Sequence, residues 1–304
     1  MKVLFLNECG TGIGLGHVTR MKALSMFLSS QDFETVTRTY ECKHQGEPPG
    51  DWLSTTHWTA EQSTDCVVID SYLATAEQYA AIRSVHGRVV AIDDYNRMHY
   101  PVDLVINPNV FFNTMDYTNQ SARTIGGIDY VILRESFRLC RRRAGGGSGV
   151  LVTLGGSDFR GLLPRIAALA DRLPHLTLVC PEADLRDDLV SGFPGLRILG
   201  RLTEQEMLEE YLAASAVISG CGQSLHELSY LGVHTIGICL APDQILNREY
   251  YLGRGFLRES IDWDDANLEA RLIHSVTQSP AAVPAAAFDP EKNLRNYAEA
   301  LRSL

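Results

Sequence analysis

The sequence predicts an α/β protein made of two doubly wound halves, and three observations carry that expectation. Short apolar runs alternate with helical patterns from end to end, the sign of parallel strands covered by helices on both faces. The alternation breaks in RLCRRRAGGGSG after residue 138, a basic and then glycine-rich stretch that reads as a linker. It restarts at once with VLVTL (150–154), and the chain, 304 residues and 45% hydrophobic, is long enough for two cores. The expected organisation is an N-terminal domain over 1–140, a linker over 141–149, a second domain over 150–285, and a terminal helix over 286–304 that packs back. Two such domains would face each other across a cleft.

In the first half the strands are KVLFLN (2–7), ETVTRTY (34–40), CVVID (66–70), RVVAID (88–93) and DLVIN (103–107). Val18, Met21, Leu24 and Leu28 recur at helical spacing and predict a helix after the first strand, with another over 75–85. In the second half a helix is expected over 161–173, then HLTLVC (175–180), LRIL (196–199) and a helix over 203–213. AVIS (216–219), a helix from Ser224, HTIGICL (234–240) and the closing helix EKNLRNYAEAL (291–301) complete the pattern.

Composition narrows the function. A formal net charge of -10 repels nucleic acid and anionic membrane surfaces, so an anionic ligand must be held locally, by backbone amides, helix N-termini or a few placed cations. The cysteines (Cys9, Cys42, Cys66, Cys140, Cys180, Cys221, Cys239) are odd in number and scattered, as reduced core residues of a cytoplasmic protein would be. There is no CxxC, no HExxH and no tight His/Cys cluster, so no metal site is expected. The first apolar run stops at Asn7 and Glu8, too short for a secretory signal, and no run reaches the ~18 residues of a membrane span.

Three glycine turns follow strands. The first, GTGIGLGHVTRMKAL (10–24), fits neither the dinucleotide fingerprint nor a P-loop, because its glycines alternate and no Gly-Lys-Ser/Thr follows; no nicotinamide or flavin cofactor is expected. What it offers is flexible backbone, His17 at a helix start and Arg20 one turn on. The positive end of the helix dipole favours a neutral imidazole at His17, able to accept a proton, although a histidine that only caps or packs against the loop fits the pattern as well. The second turn, Leu154-Gly-Gly-Ser-Asp158, lets Gly155 and Gly156 bring amides close to a phosphate. The third, SGCGQSLHEL (219–228), repeats this, with Ser224 and Glu227 in the spacing of a capping box, so that Glu227 serves either the cap or a ribose hydroxyl pair. In the first half Asp70, Tyr72, Asp93, Asp94, Asn107 and Asn109 stand at successive strand ends, where they would line one polar pocket.

Together the elements GIGLGHVTR, VIDSY, IDDY, INPN, YVILRESF, TLGGSDF and SGCGQSLHELSYLG followed by LAPDQ resemble the nucleotide-sugar hydrolases of pseudaminic acid biosynthesis (PseG type, with the related SpsG proteins), in that family's order over residues 12–244. The resemblance implies a GT-B fold of two Rossmann-like domains, with the nucleotide held by the C-terminal one. It implies metal-independent release of UDP from a diacetamido-trideoxy sugar by water attack at the anomeric carbon, with no cofactor. His17 would be the base, and Gly16, Arg20, Asp70, Tyr72, Asp94, Asn109 and Gln244 would lie near the sugar. Gly155, Gly156, Ser157, Gly222, Gln223, Ser224 and Leu225 would surround the diphosphate, with Glu227 on the ribose and Gly200, Arg201 and Leu202 at the base edge. Where the family has Asn-Gln, this chain has Asp243-Gln244. Aspartate there could hydrogen-bond a sugar hydroxyl or act as a second base, and it adds negative charge near a diphosphate unless a cation such as Arg20 or Arg248 answers it. Two other readings use the same motifs: a GT-B glycosyltransferase with an acceptor hydroxyl in place of water, and a catalytically silent nucleotide-sugar binder.

Overall fold

The computed structural model describes residues 1–10, 15–42, 64–140, 147–278 and 286–304. Gly12 and Gly14 of the first glycine loop, and residues 141–146 of the expected linker, lie outside them. The chain forms two compact units, residues 1–134 with 288–304, and residues 135–287.

The first unit is a six-stranded parallel sheet of β1 (Lys2–Gly10), β2 (Glu34–Cys42), β3 (Cys66–Asp70), β4 (Val89–Ile92), β5 (Leu104–Asn107) and β6 (Arg123–Gly126), in the order β2-β1-β3-β4-β5-β6. Side chains alternate across it. Val3, Phe5, Cys66, Val68, Val90 and Ile106 point to one face, against α1 (Gly16–Ser29) and the closing helix Pro290–Arg302. Leu4, Leu6, Val67, Ile69, Val89 and Val105 point to the other, against the face that carries α2 (Ala76–His86). β1 runs three residues beyond the expected strand, because Asn7 and Glu8 are buried there with bonding partners and do not end it. β6 was not legible in the sequence, since four partly exposed residues at a sheet edge carry no apolar period. It needs Gly126: a Cβ there would collide with the Asn107 carbonyl oxygen.

The second unit opens with α3 (Glu135–Leu139) and holds β7 (Val150–Thr153), α4 (Leu162–Ala167), β8 (Thr177–Val179), α5 (Ala183–Gly192), β9 (Arg197–Leu199), α6 (Glu204–Ala213), β10 (Ala216–Gly220), α7 (Ser224–Leu231), β11 (Thr235–Cys239), α8 (Ile245–Gly253), β12 (Ser260–Asp262) and α9 (Leu268–Thr277). Its strands are all parallel in the order β12-β11-β10-β7-β8-β9, the arrangement of a dinucleotide-type doubly wound sheet. α4 is shorter than the helix expected over 161–173. After Ala167 the backbone tightens, with Leu169, Ala170 and Arg172 each bonding the carbonyl three residues back. The final helix, α10 (Pro290–Arg302), packs on the first unit, burying Leu294, Tyr297 and Leu301 in the same core as α1. Among the described residues no helix is long and apolar enough to cross a membrane.

Candidate functional site

In a doubly wound sheet, ligands collect at the carboxyl ends of strands where the strand order reverses. In the first unit that point lies between β1 and β3, the neighbours on either side of which run in opposite sequence directions. Asp70 is the last residue of β3, in register with Asn7 of β1. α1 starts beside it, and its N-terminus has no side-chain cap; His17 in its first turn and Arg20, three residues on, project together.

These side chains bond one another. Arg20 holds Asp70 through two parallel bonds of 2.6 Å, from Nε to Oδ2 and from Nη2 to Oδ1. It donates to Asp94 as well, at 2.7 Å and 3.0 Å. Asp94 in turn accepts from the Tyr72 hydroxyl at 2.5 Å and from Asn109 Nδ2 at 2.7 Å. His17 Nδ1 meets Asp70 Oδ1, and the Tyr72 ring packs edge-on against the imidazole with centroids 4.3 Å apart. Asp70 is fully buried, and His17 and Arg20 are only 3% and 5% exposed, so these charges lie out of water and must answer each other.

The electrostatics follow. Burial alone would raise the carboxyl of Asp70, but Arg20 and His17 outweigh it and hold it below its ordinary range. Arg20 does the same for Asp94 against the same desolvation. Burial works against the charge on Arg20, yet the two carboxylates keep it firmly protonated. Tyr72, pushed up by burial and by Asp94, stays a phenol and donates. A carboxylate at Nδ1 can only accept, so a neutral imidazole here would hold its proton on that nitrogen, which also lies 3.1 Å from Arg20 Nη2, and its lone pair on Nε2, to which no described residue bonds. That arrangement can take a proton from a group at Nε2 and stabilise the resulting imidazolium through Asp70.

The strand alternation sends a second set of polar groups to the other face. Glu8 accepts from Ser71 Oγ and the Tyr72 amide, both at 2.5 Å, and so fixes the turn that presents Tyr72. Asp93, next to Asp94 in sequence, faces away from Arg20 and accepts from the hydroxyls of Tyr100 and Tyr117 at 2.7 Å and 2.6 Å. Asn107 braces the following turn by accepting from the Asn109 amide at 2.8 Å. The pocket expected from Asp70, Tyr72, Asp93, Asp94, Asn107 and Asn109 is therefore divided: Asp70, Tyr72, Asp94 and Asn109 meet Arg20 or its partners, while Asp93 and Asn107 hold the turns behind them.

In the second unit the order reverses between β7 and β10, and both are followed by the expected glycine turns. Gly155 has φ +103°, a conformation that favours glycine, and Gly156 and Ser157 beside it are exposed. Asp158 is turned inward: its carboxylate accepts from the Leu162 and Leu163 amides at 2.8 Å and 2.7 Å and caps α4. After β10, Gly222, Gln223 and Ser224 are half-buried, while Leu225 and Glu227 are buried. The capping box expected from Ser224 and Glu227 does not form. Gln223 already has helical dihedrals (φ -53°, ψ -33°) and no side chain caps the helix, whereas the boxes that do form, Thr75 with Gln78 and Thr203 with Glu206, start from extended cap residues.

Gln244 joins the β10 turn to β11 by accepting from the Cys221 and Leu240 amides at 3.1 Å and 3.0 Å, while Asp243 next to it is exposed. Arg248 is paired with Asp262 at 2.6 Å. Gly200, Arg201 and Leu202 follow β9, at the sheet edge two strands from β7. Among the described residues no group of three or more His, Cys, Asp or Glu side chains is arranged to hold a metal ion.

No protein-family model matches the chain, and no curated protein sequence does. Solved structures do. MurG of Acinetobacter baumannii is similar at 15% identity and a TM-score of 0.65, over 100% of this chain and 99% of that one. UGT89C1 of Arabidopsis thaliana, complexed with UDP-L-rhamnose, is similar at 12% identity and a TM-score of 0.62, over 99% of this chain and 98% of that one. UDP-GlcNAc 2-epimerase of Neisseria meningitidis, bound to UDP-GlcNAc, is similar at 12% identity and a TM-score of 0.61, over 100% of both chains. At these identities the likeness is one of fold, and the fold is of GT-B type, two Rossmann-like units each built on a six-stranded parallel sheet.

Proposed function

We propose that the protein is a nucleotide-sugar hydrolase that releases UDP from an activated amino or deoxy sugar without a metal ion. The observation that carries this reading is the buried contact between His17 and Asp70, which leaves Nε2 of the imidazole as an acceptor beside a strand end. In the reaction His17 Nε2 takes a proton from water as its oxygen bonds to the anomeric carbon, and the bond from that carbon to the diphosphate oxygen breaks. UDP leaves with the bonding electron pair, and Asp70 stabilises the imidazolium. The turns at Gly155–Ser157 and Gly222–Ser224 offer backbone amides for the diphosphate, with Leu225 packed behind the second, Glu227 a carboxylate for the ribose, and 200–202 backbone groups for the base. Two further supports are the motifs shared with the PseG-type hydrolases and the UDP-sugars bound to proteins of the same fold.

Asp243, standing where those hydrolases have asparagine, favours a second reading in which an acceptor hydroxyl replaces water. Nucleotide release from a panel of UDP-sugars, with and without candidate acceptors, separates the two. Release without acceptor that vanishes in His17→Ala, falls by about a hundredfold or more in Asp70→Asn and persists in Lys22→Ala is the expected result. Release only with an acceptor replaces hydrolysis by transfer, and binding without turnover leaves a silent binder.

A further inference from the structure

The carboxyl end of the second sheet holds a cation that glycine turns and helix amides do not supply. Arg160 stands in the loop between β7 and α4, four residues past Gly156. Its Nε donates to the Leu240 carbonyl at 2.9 Å. Its guanidinium carbon lies 4.1 Å from the ring centroid of Trp263 and 5.0 Å from that of Phe159. Leu240 directly follows β11 and Trp263 directly follows β12, so every contact is at the carboxyl end of a strand. Because β10 lies between β7 and β11, Arg160 reaches from one flank of the 220–224 turn to the other.

This head group is fixed but its charge is not answered. One of the five N–H donors of a guanidinium is used on Leu240, and no carboxylate among the described residues pairs with the rest. Of the neighbouring acids, Asp158 is committed to the cap of α4 and Asp262 to Arg248. A planar cation stacked on an indole, tethered by a carbonyl and lacking a counter-ion is preorganised for an anion, and its parallel donors match phosphate oxygens.

We propose that Arg160 is a phosphate-binding residue that contacts the diphosphate of a nucleoside diphosphate seated at this sheet end; the proposal rests on the reading of the second unit as the nucleotide-holding one. When the bond to the anomeric carbon breaks, the negative charge left on the diphosphate is met by this guanidinium together with backbone amides.

Calorimetric titration of the full chain with UDP, uridine and inorganic pyrophosphate tests it. Arg160→Met keeps an unbranched stem on Trp263 and removes the charge, and Arg160→Lys restores charge without the planar fork. Arg160→Met is expected to weaken UDP and pyrophosphate by about tenfold or more, to leave uridine within about twofold, and to lower the salt dependence of UDP binding, with partial recovery in Arg160→Lys. UDP affinity unchanged in Arg160→Met overturns the proposal and leaves the nucleotide reading intact. Arg160-dependent binding of pyrophosphate with no binding of UDP overturns the nucleotide reading and leaves the anion site. A wild-type protein that binds neither overturns both.

Discussion

At the carboxyl end of the first sheet, His17, Arg20, Asp70 and Asp94 are buried and bonded to one another; at the same end of the second, exposed glycine backbone, a capped helix and one stacked arginine take their place. Both ends lie where a parallel sheet reverses its strand order, so the architecture does not explain the contrast. On the proposed reading, proton transfer does. A base that must gain and lose charge needs a counter-charge held in low dielectric, and such groups tolerate burial only when each is paired. Recognition of a leaving group that is already charged can be left to amides and a cation at the water's edge, with little buried charge to compensate.

The largest expected effect breaks the first arrangement. Arg20→Met leaves Asp70 and Asp94 buried without their cation, and removal of one partner of a buried ion pair costs about 3–5 kcal/mol. Denaturant unfolding is therefore expected to show that loss, reported by peptides of β1, β3 and β4 in hydrogen exchange. A cost under about 1 kcal/mol would mean that water reaches the cluster and that its bonds behave as surface ion pairs.

Much of this contrast was legible in the residues. The apolar runs predict every inner strand of both sheets, and the meeting of Asp70, Tyr72, Asp94 and Asn109 follows from their places at neighbouring parallel strand ends. Edge strands β6 and β12 escaped because neither presents an apolar run: Arg123–Gly126 is partly exposed throughout, and Ser260–Asp262 buries Ile261 alone. Asp93 and Asp94 look alike in sequence, and only the pleat separates a brace for Tyr100 and Tyr117 from a partner of Arg20. Glu8 read as a strand breaker because its partners, Ser71 and Tyr72, are more than sixty residues away. Arg160 gave no signal either: one arginine in a loop acquires meaning only when Leu240 and Trp263 arrive from other strands.

A smaller effect is expected where the second unit depends on capping. Asp158→Ala removes the acceptor of the Leu162 and Leu163 amides, and loss of such a cap costs about 0.5–2 kcal/mol. The change should appear as a modest fall in unfolding midpoint, with α4 the first segment to lose exchange protection. A loss as large as that of Arg20→Met would remove the distinction between the two ends.

Acid should separate the two strand ends most finely, because the buried carboxylates Asp70 and Asp94 of one and Asp158 of the other are shifted in opposite directions. Asp70 and Asp94 sit below the ordinary value of ~3.9, so beneath about pH 4 the unfolded chain binds protons that the folded one refuses. Their contribution is complete above that range and drains away as the pH falls through their folded values. Asp158 is shifted upward by burial, against the helix amides and with Glu182 adding to the rise. Folded Asp158 therefore binds its proton at a higher pH than the unfolded chain does, and the cost it imposes near neutrality is relieved on the way down. Hydrogen exchange corrected for intrinsic rates should then show β1, β3 and β4 losing protection between about pH 4 and pH 2 ahead of β7 and α4. In Asp158→Ala the second unit should forgo that relief, whereas parallel loss in both units, unmoved by the substitution, would show that the opposed shifts do not govern their acid stability.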